Sequence, residues 1–183
     1  MIKVNSREDF LKELKTHLSV DCVVVEIGVL NGDFSKMILD IINPANLILV
    51  DPYKVGKELY GSGFTTSYST DKEYENILVR FSDEISTGKV FVNKKYSYDA
   101  VECCPETFID FIYHDGSHRY EDIKKDLIDW LPKMKEGSVI CGHDYIGDKD
   151  FGVIKAVDEF RREHRFVMII FNENGGDWAL KRL

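Results

Sequence analysis

Three places in the sequence hold residues able to do chemistry. The first is VVVEIGVLNGDFS, residues 23–35. It is a β-branched run that ends on an acid, Glu26, just before a turn carrying Gly28, Asn31 and Gly32. The second is LILVDPY, residues 47–53, an apolar run that closes on Asp51 with Tyr53 beyond it. The third is a pair of polar clusters, HDGSH at 114–118 and GHDY at 142–145, each following an apolar run. A buried strand should not finish on an ionised acid unless something polar or cationic compensates it.

The glycine spacing excludes two phosphate readers. A GxGxxG fingerprint counted from Gly28 would need glycine at Leu30 and Asp33, and no Gly-Lys-Ser/Thr follows as in a P-loop. Taken alone, the turn is equally well a plain tight turn. Asp51 adds information, because an acid at the tip of the second strand typically accepts both hydroxyls of a ribose. An acid ahead of the glycines suits a cationic tail, where a helix N-terminus would suit a phosphate. A ribose joined to an ammonium and a sulfonium is S-adenosylmethionine. Glu26 would then hold its amino-acid end, directly or through water, and Gly28, Asn31 and Gly32 would form the turn around it. A nicotinamide cofactor fits Asp51 but not the glycines.

These residues need strand tips to carry them. Strand-like runs occupy 22–27, 47–51, 89–93, 108–114 and 138–143, and a final pair, 166–171 and 178–183, flanks the turn-rich NENGGD. Helical stripes lie between them. Phe10, Leu11, Leu14 and Leu18 share a face behind a Ser6-x-x-Asp9 cap. Phe34, Met37, Ile38, Ile41 and Ile42 form a second stripe that Pro44 stops. Tyr74, Ile77, Leu78 and Phe81 follow a Thr70-x-x-Glu73 cap. Tyr120, Ile123, Leu127, Trp130 and Leu131 make a fourth, and Val153, Val157 and Phe160 a fifth. Strands alternating with helices predict a doubly wound α/β fold, a mostly parallel sheet covered on both faces, with the terminal hairpin antiparallel at one edge. Residues 55–70, rich in Gly, Ser, Thr and Tyr, read as a long loop, either a cover for the site or a surface excursion. Asn93 to Ser97 follows the third run, where an adenine ring is usually received, so Tyr96 and Ser97 are candidates for it, and Tyr53 is another for covering the nucleoside.

Composition bounds the partners. The chain of 183 residues is 44% apolar, enough for one well-packed domain over 1–183. Its formal charge of -8 lacks the basic footprint of a nucleic-acid binder. No run approaches the roughly 18 apolar residues that cross a bilayer, and the charged N-terminal segment lacks a signal peptide's apolar core. Cys22, Cys103, Cys104 and Cys141 form no CxxC pair, which predicts free thiols in a reducing cytoplasm.

The pattern E-x-G-x-x-x-G followed by a second-strand acid resembles the class I S-adenosylmethionine-dependent methyltransferases. FIDFIYHDGSHRYEDIKKDLIDWLPKMKEGSVICGHDY followed by GVIKAVDEF is similar to a bacterial small-molecule branch that includes macrocin-type sugar and antibiotic O-methyltransferases. The likeness covers about residues 23–160. It implies a Rossmann-like sheet of seven strands in the order 3-2-1-4-5-7-6 with the last antiparallel, and methyl transfer to a small hydroxylated acceptor. In metal-dependent relatives, the positions matching Asp115, His143 and Asp144 ligate magnesium. An imidazole at 143 tilts that choice toward manganese, iron or zinc. His118 matches the position of a catalytic lysine in catechol-type relatives, and an imidazole suits a general base near neutral pH. Ser117 stands where sugar-modifying relatives often carry an acid. The structural alternatives are that Asp115 caps a helix, that His143 is a hydrogen-bonded strand-end residue, and that His118 is a first-turn histidine. A non-catalytic module that keeps the fold for binding or assembly is the competing functional expectation. With so little chain beyond the core, acceptor specificity falls to the N-terminal helix, to 55–70, or to a neighbouring subunit of a homo-oligomer.

Overall fold

The computed structural model describes residues 1–54, 56–60, 63–67, 70–146 and 152–182. The strands are β1 (Ile2–Val4), β2 (Val23–Ile27), β3 (Asn46–Val50), β4 (Gly56–Tyr60), β5 (Gly63–Ser67), β6 (Val90–Asn93), β7 (Ile109–His114), β8 (Met134–Gly142), β9 (Phe166–Asn172) and β10 (Trp178–Arg182). The helices are α1 (Arg7–Lys15), α2 (Asp33–Met37, continued by a π turn, Ile38–Ile42), α3 (Asp71–Arg80), α4 (Ser82–Ser86), α5 (Ser97–Ala100), α6 (Tyr120–Trp130) and α7 (Val153–Glu163).

Eight strands form one sheet in the order β6-β3-β2-β7-β8-β10-β9-β1. Without β1 this is the expected order, and β10 runs antiparallel to both its neighbours. The count is eight rather than seven because β1 adds to the free edge of β9, Ile2 opposite Ile170. Three residues with one charge among them carry too little period-2 pattern to be read as a strand; the open edge of β9 supplies the pairing. The stretch 55–70 also differs from expectation. Within it, β4 and β5 pair antiparallel as a separate two-stranded ribbon. Its small and polar composition concealed two short strands, while Val55, Gly61, Ser62, Tyr68 and Ser69 lie outside the described residues.

Alternate residues of the central strands face opposite layers, as a pleat requires. Val24, Phe111, Tyr113, Val139 and Cys141 pack with Phe10, Leu14, Phe34, Ile38, Ile77 and Phe81 on one face. Val25, Ile112 and Ile140 pack with Ile123, Leu127, Trp130, Val157, Phe160 and Trp178 on the other. Burying each such large side chain contributes about 1.5–3 kcal/mol. Every residue of β2 is buried, which is why its sequence is continuous rather than alternating. The predicted caps form: Ser6 Oγ accepts from the Asp9 amide, and Thr70 and Glu73 make a reciprocal box. The four thiols are free, with Cys103 exposed and the others buried. Among the described residues, no helix is long and apolar enough to cross a membrane.

Candidate functional site

The C-terminal tips of β2, β3, β7 and β8 are stitched together by backbone hydrogen bonds. The Gly28 amide donates to Val50 O at 2.9 Å, Asp115 N to Ile27 O at 2.8 Å, and His143 N to His114 O at 3.2 Å. Gly28 sits at φ +87°, and a Cβ there would lie 2.2 Å from the carbonyl oxygen of Asp115. Only glycine lets these two loops approach so closely. Leu30, Tyr53 and Asp144, all at strand-tip loops, also hold positive φ. Such strain clusters where the surrounding structure fixes a functional geometry.

In front of these tips lies a cleft of about 800 Å³. The structure brings Glu26, Gly28, Asn31, Asp51, Tyr96, Ser97, Asp115 and His118 to its lining. Glu26 is 1% exposed and, among the described residues, takes one hydrogen bond, from Ser35 Oγ at 2.5 Å. Burial pushes its carboxyl up to about 8; the Ser35 bond and the charge of Arg7 pull the other way, and the neighbouring Asp115 and Asp51 add to the rise. Asp51 braces the glycine turn: Oδ2 accepts from the amides of Val29 at 3.0 Å and Leu30 at 3.1 Å, and Oδ1 from Tyr53 N at 2.8 Å.

Two further residues expected to contact the cofactor, Gly32 and Tyr53, are not among those lining the cleft. Gly32 packs under α3, where a Cβ would meet Ile77 Cδ1 at 2.6 Å. Tyr53 is buried in the core layer, its ring 5.3 Å from that of Tyr74, and its hydroxyl has no hydrogen-bond partner among the described residues. At the third tip, Tyr96 stacks parallel to Tyr98 with centroids 5.2 Å apart, while Ser97 Oγ accepts from Trp130 Nε1 at 2.7 Å.

The two polar clusters meet beside this cleft. His118 Nε2 lies 2.6 Å and His143 Nδ1 3.0 Å from the same oxygen, Asp144 Oδ2. Both imidazoles also face Asp115 Oδ1, at 3.8 and 3.9 Å. Burial alone would raise the Asp144 carboxyl, yet the two histidine hydrogen bonds outweigh it and hold this group well below the usual carboxylate range. Burial would lower His143, but its bond to Asp144 and the charge of Asp115 raise it above an ordinary imidazole. Ligand atoms of Asp115, His118 and Asp144 fall within 4.8 Å of one another. Two carboxylates and an imidazole form a donor set that fits a divalent ion tolerant of nitrogen, and in this trio His118 stands where His143 was expected.

Sequence reasoning missed Arg7 and Asp177. Arg7 lines the cleft and donates to Asp115 Oδ2 at 3.3 Å and, through Nε, to Asp177 Oδ1 at 3.2 Å. Nothing in the local pattern around either residue announces a partner so far along the chain. Ser35 was legible in principle, since the first turns of α2 must run back past the strand that precedes them.

A family model described as a methyltransferase domain (Methyltransf_24) matches residues 25–145. Among solved structures, the O-methyltransferase NovP superposes with a TM-score of 0.70 at 16% identity, covering 96% of this chain and 79% of that one. The O-methyltransferase TomG from Streptomyces achromogenes, involved in tomaymycin synthesis and solved in complex with SAM, gives 0.64 at 14% identity over 97% and 79%. An rRNA methylase from Streptococcus thermophilus gives 0.63 at 14% identity over 96% and 93%. Likeness at these identities is a likeness of fold. An uncharacterized protein, y4gI of Sinorhizobium fredii, is 33% identical over 61 residues, a stretch that is 33% of this chain and 7% of that protein.

Proposed function

The chain belongs to this methyltransferase-domain family, and from that premise we propose that it transfers a methyl group from S-adenosylmethionine to a hydroxyl of a small acceptor such as a sugar. One observation supports the reading above others. Glu26 and Asp51, on adjacent strands, line the same cleft as Asp115 and His118. The formal charge of -8 favours a small acceptor over the RNA named for one structural neighbour. We read residues 1–183 as one domain, and the free thiols favour a reducing compartment such as the cytoplasm.

In this mechanism ionised Glu26 receives the ammonium of the cofactor, and the Asp51 carboxylate accepts the ribose hydroxyls. Tyr96, half-exposed at the cleft, offers a flat surface to the adenine. His118 takes the proton of the acceptor hydroxyl. Asp144, 2.6 Å from its Nε2, orients the ring and stabilises the imidazolium that forms. The displaced bond is methyl carbon to sulfur, and its electron pair leaves with the thioether. Positioning the two reactants supplies about 7–11 kcal/mol of such a barrier. A divalent ion would be held by Asp115 and Asp144 with His143 or His118, and would supply Lewis-acid stabilisation of the acceptor oxygen.

Calorimetry with S-adenosylmethionine, alone and with Mg²⁺ or Mn²⁺, tests this. Binding is expected in both arms, with tighter binding when metal is present if a metal acts. Binding indifferent to metal would leave His118 and Asp144 to act alone. No binding in either arm would leave a non-catalytic module with this fold.

A further inference from the structure

Asp177 is fully buried, yet its carboxylate has no shortage of donors. Tyr113 Oη gives it a bond at 2.7 Å, Asn172 Nδ2 another at 2.7 Å, and Arg7 Nε a third at 3.2 Å. It is therefore a fixed anchor. The Arg7 guanidinium, planar and able to donate in two directions, reaches past it to Asp115 Oδ2 at 3.3 Å. Its flat face lies over Phe34, 5.1 Å from the centroid, and 6.0 Å from that of Tyr113. With Oδ2 held, the other oxygen of Asp115 is the one turned toward His118 and His143. Arg7 and Asp177 both lie outside residues 25–145, the stretch that carries the family match.

We propose that Arg7, anchored by Asp177, is the positioning residue of Asp115: it fixes the carboxylate's rotation and balances its charge in the cleft. The role assigned to Asp115 rests on the functional reading above; the clamp itself does not. A lysine could keep the charge but could not fork between two carboxylates, so charge and geometry separate experimentally.

The test begins with the wild-type protein, where NMR should show a slowly exchanging Nε–H for Arg7. Exchange as fast as that of a free arginine would overturn the clamp without any variant. Calorimetry then compares S-adenosylmethionine, which carries a sulfonium, with S-adenosylhomocysteine, a neutral thioether, in wild type, Arg7→Lys and Arg7→Met. Removing the cation leaves Asp115 unbalanced, so Arg7→Met should shift preference toward the sulfonium ligand by about fivefold. Arg7→Lys should shift it by less than about twofold. A merely structural role would lower the melting temperature and weaken both ligands alike, and an unchanged ratio overturns the proposal. Should Arg7→Met not fold, the Nε–H exchange and the Lys variant decide. Failure of the wild type to bind either ligand would sink the functional reading, and the Nε–H result would still judge the clamp.

Discussion

The two halves of the cleft treat charge in opposite ways. On the β2–β3 side, Glu26 is buried with a single hydroxyl for company and no ion-pair partner among the described residues. On the β7–β8 side, Asp115, Asp144, His118 and His143 satisfy one another, and Arg7 closes the set. On the proposed function the first half waits for the cationic end of the cofactor, whereas the second is already balanced. Burial of an unpartnered acid is costly, and a fold retains it where a ligand repays that cost.

The contrast is easiest to break at Gly28, where the two halves touch. Gly28→Ala would drive a methyl into the Asp115 carbonyl at a positive φ. A loss of about 3 kcal/mol or more is expected, with cofactor binding abolished, both read by melting and calorimetry. Glu26→Gln should weaken S-adenosylmethionine by about 30- to 100-fold, the loss of one charge-assisted contact. The same variant should stabilise the ligand-free protein at pH 9, where wild-type Glu26 is ionised in the core.

The pH dependence has a defined sign. Because Glu26 is pushed up to about 8, the folded protein holds a proton that the unfolded chain has lost above pH 4.5. Stability therefore falls as pH rises from there through about 8. Cofactor affinity moves the opposite way, since the ammonium needs the carboxylate. It should rise up to about tenfold per unit toward pH 8 and then level off, and calorimetry in two buffers of different ionisation enthalpy would count the released proton. Asp144→Asn probes the balanced half: cofactor affinity should change less than about threefold, while the His143 midpoint, followed by NMR, drops as its raising partner is lost. On the β2–β3 side a smaller effect than that of Glu26→Gln belongs to Ser35→Ala. It removes the one bond that favours ionised Glu26, and should weaken the cofactor a few-fold at pH 7 and negligibly at pH 9.

What the sequence disclosed divides along similar lines. The sheet order was legible because each central strand is a short apolar run followed by a helical stripe, and the acids at 26, 51, 115 and 144 were legible because they end those runs. β1 was not, since its partner is chosen by an open edge rather than by its own pattern. The glycine at 32 looked like part of a ligand turn, but its need for smallness comes from Ile77 and Phe81 on a helix more than forty residues later. Arg7 and Asp177 were invisible for the same reason: their chemistry exists only between segments that the fold brings together. The resemblance named His143 among the metal ligands. Distance groups His118 with Asp115 and Asp144 instead, a detail that no spacing rule encodes.

The pairing of Ile2 with Ile170 has a consequence for how the protein is made. On the ribosome β1 emerges well before β9 and stays unpaired until that strand is made. Until β9 and the turn bearing Asp177 appear, Arg7 lacks its buried anchor. A nascent polypeptide can assemble the glycine turn early, but the Arg7 bridge between Asp115 and Asp177 closes only after β9 and the turn beyond it have been made.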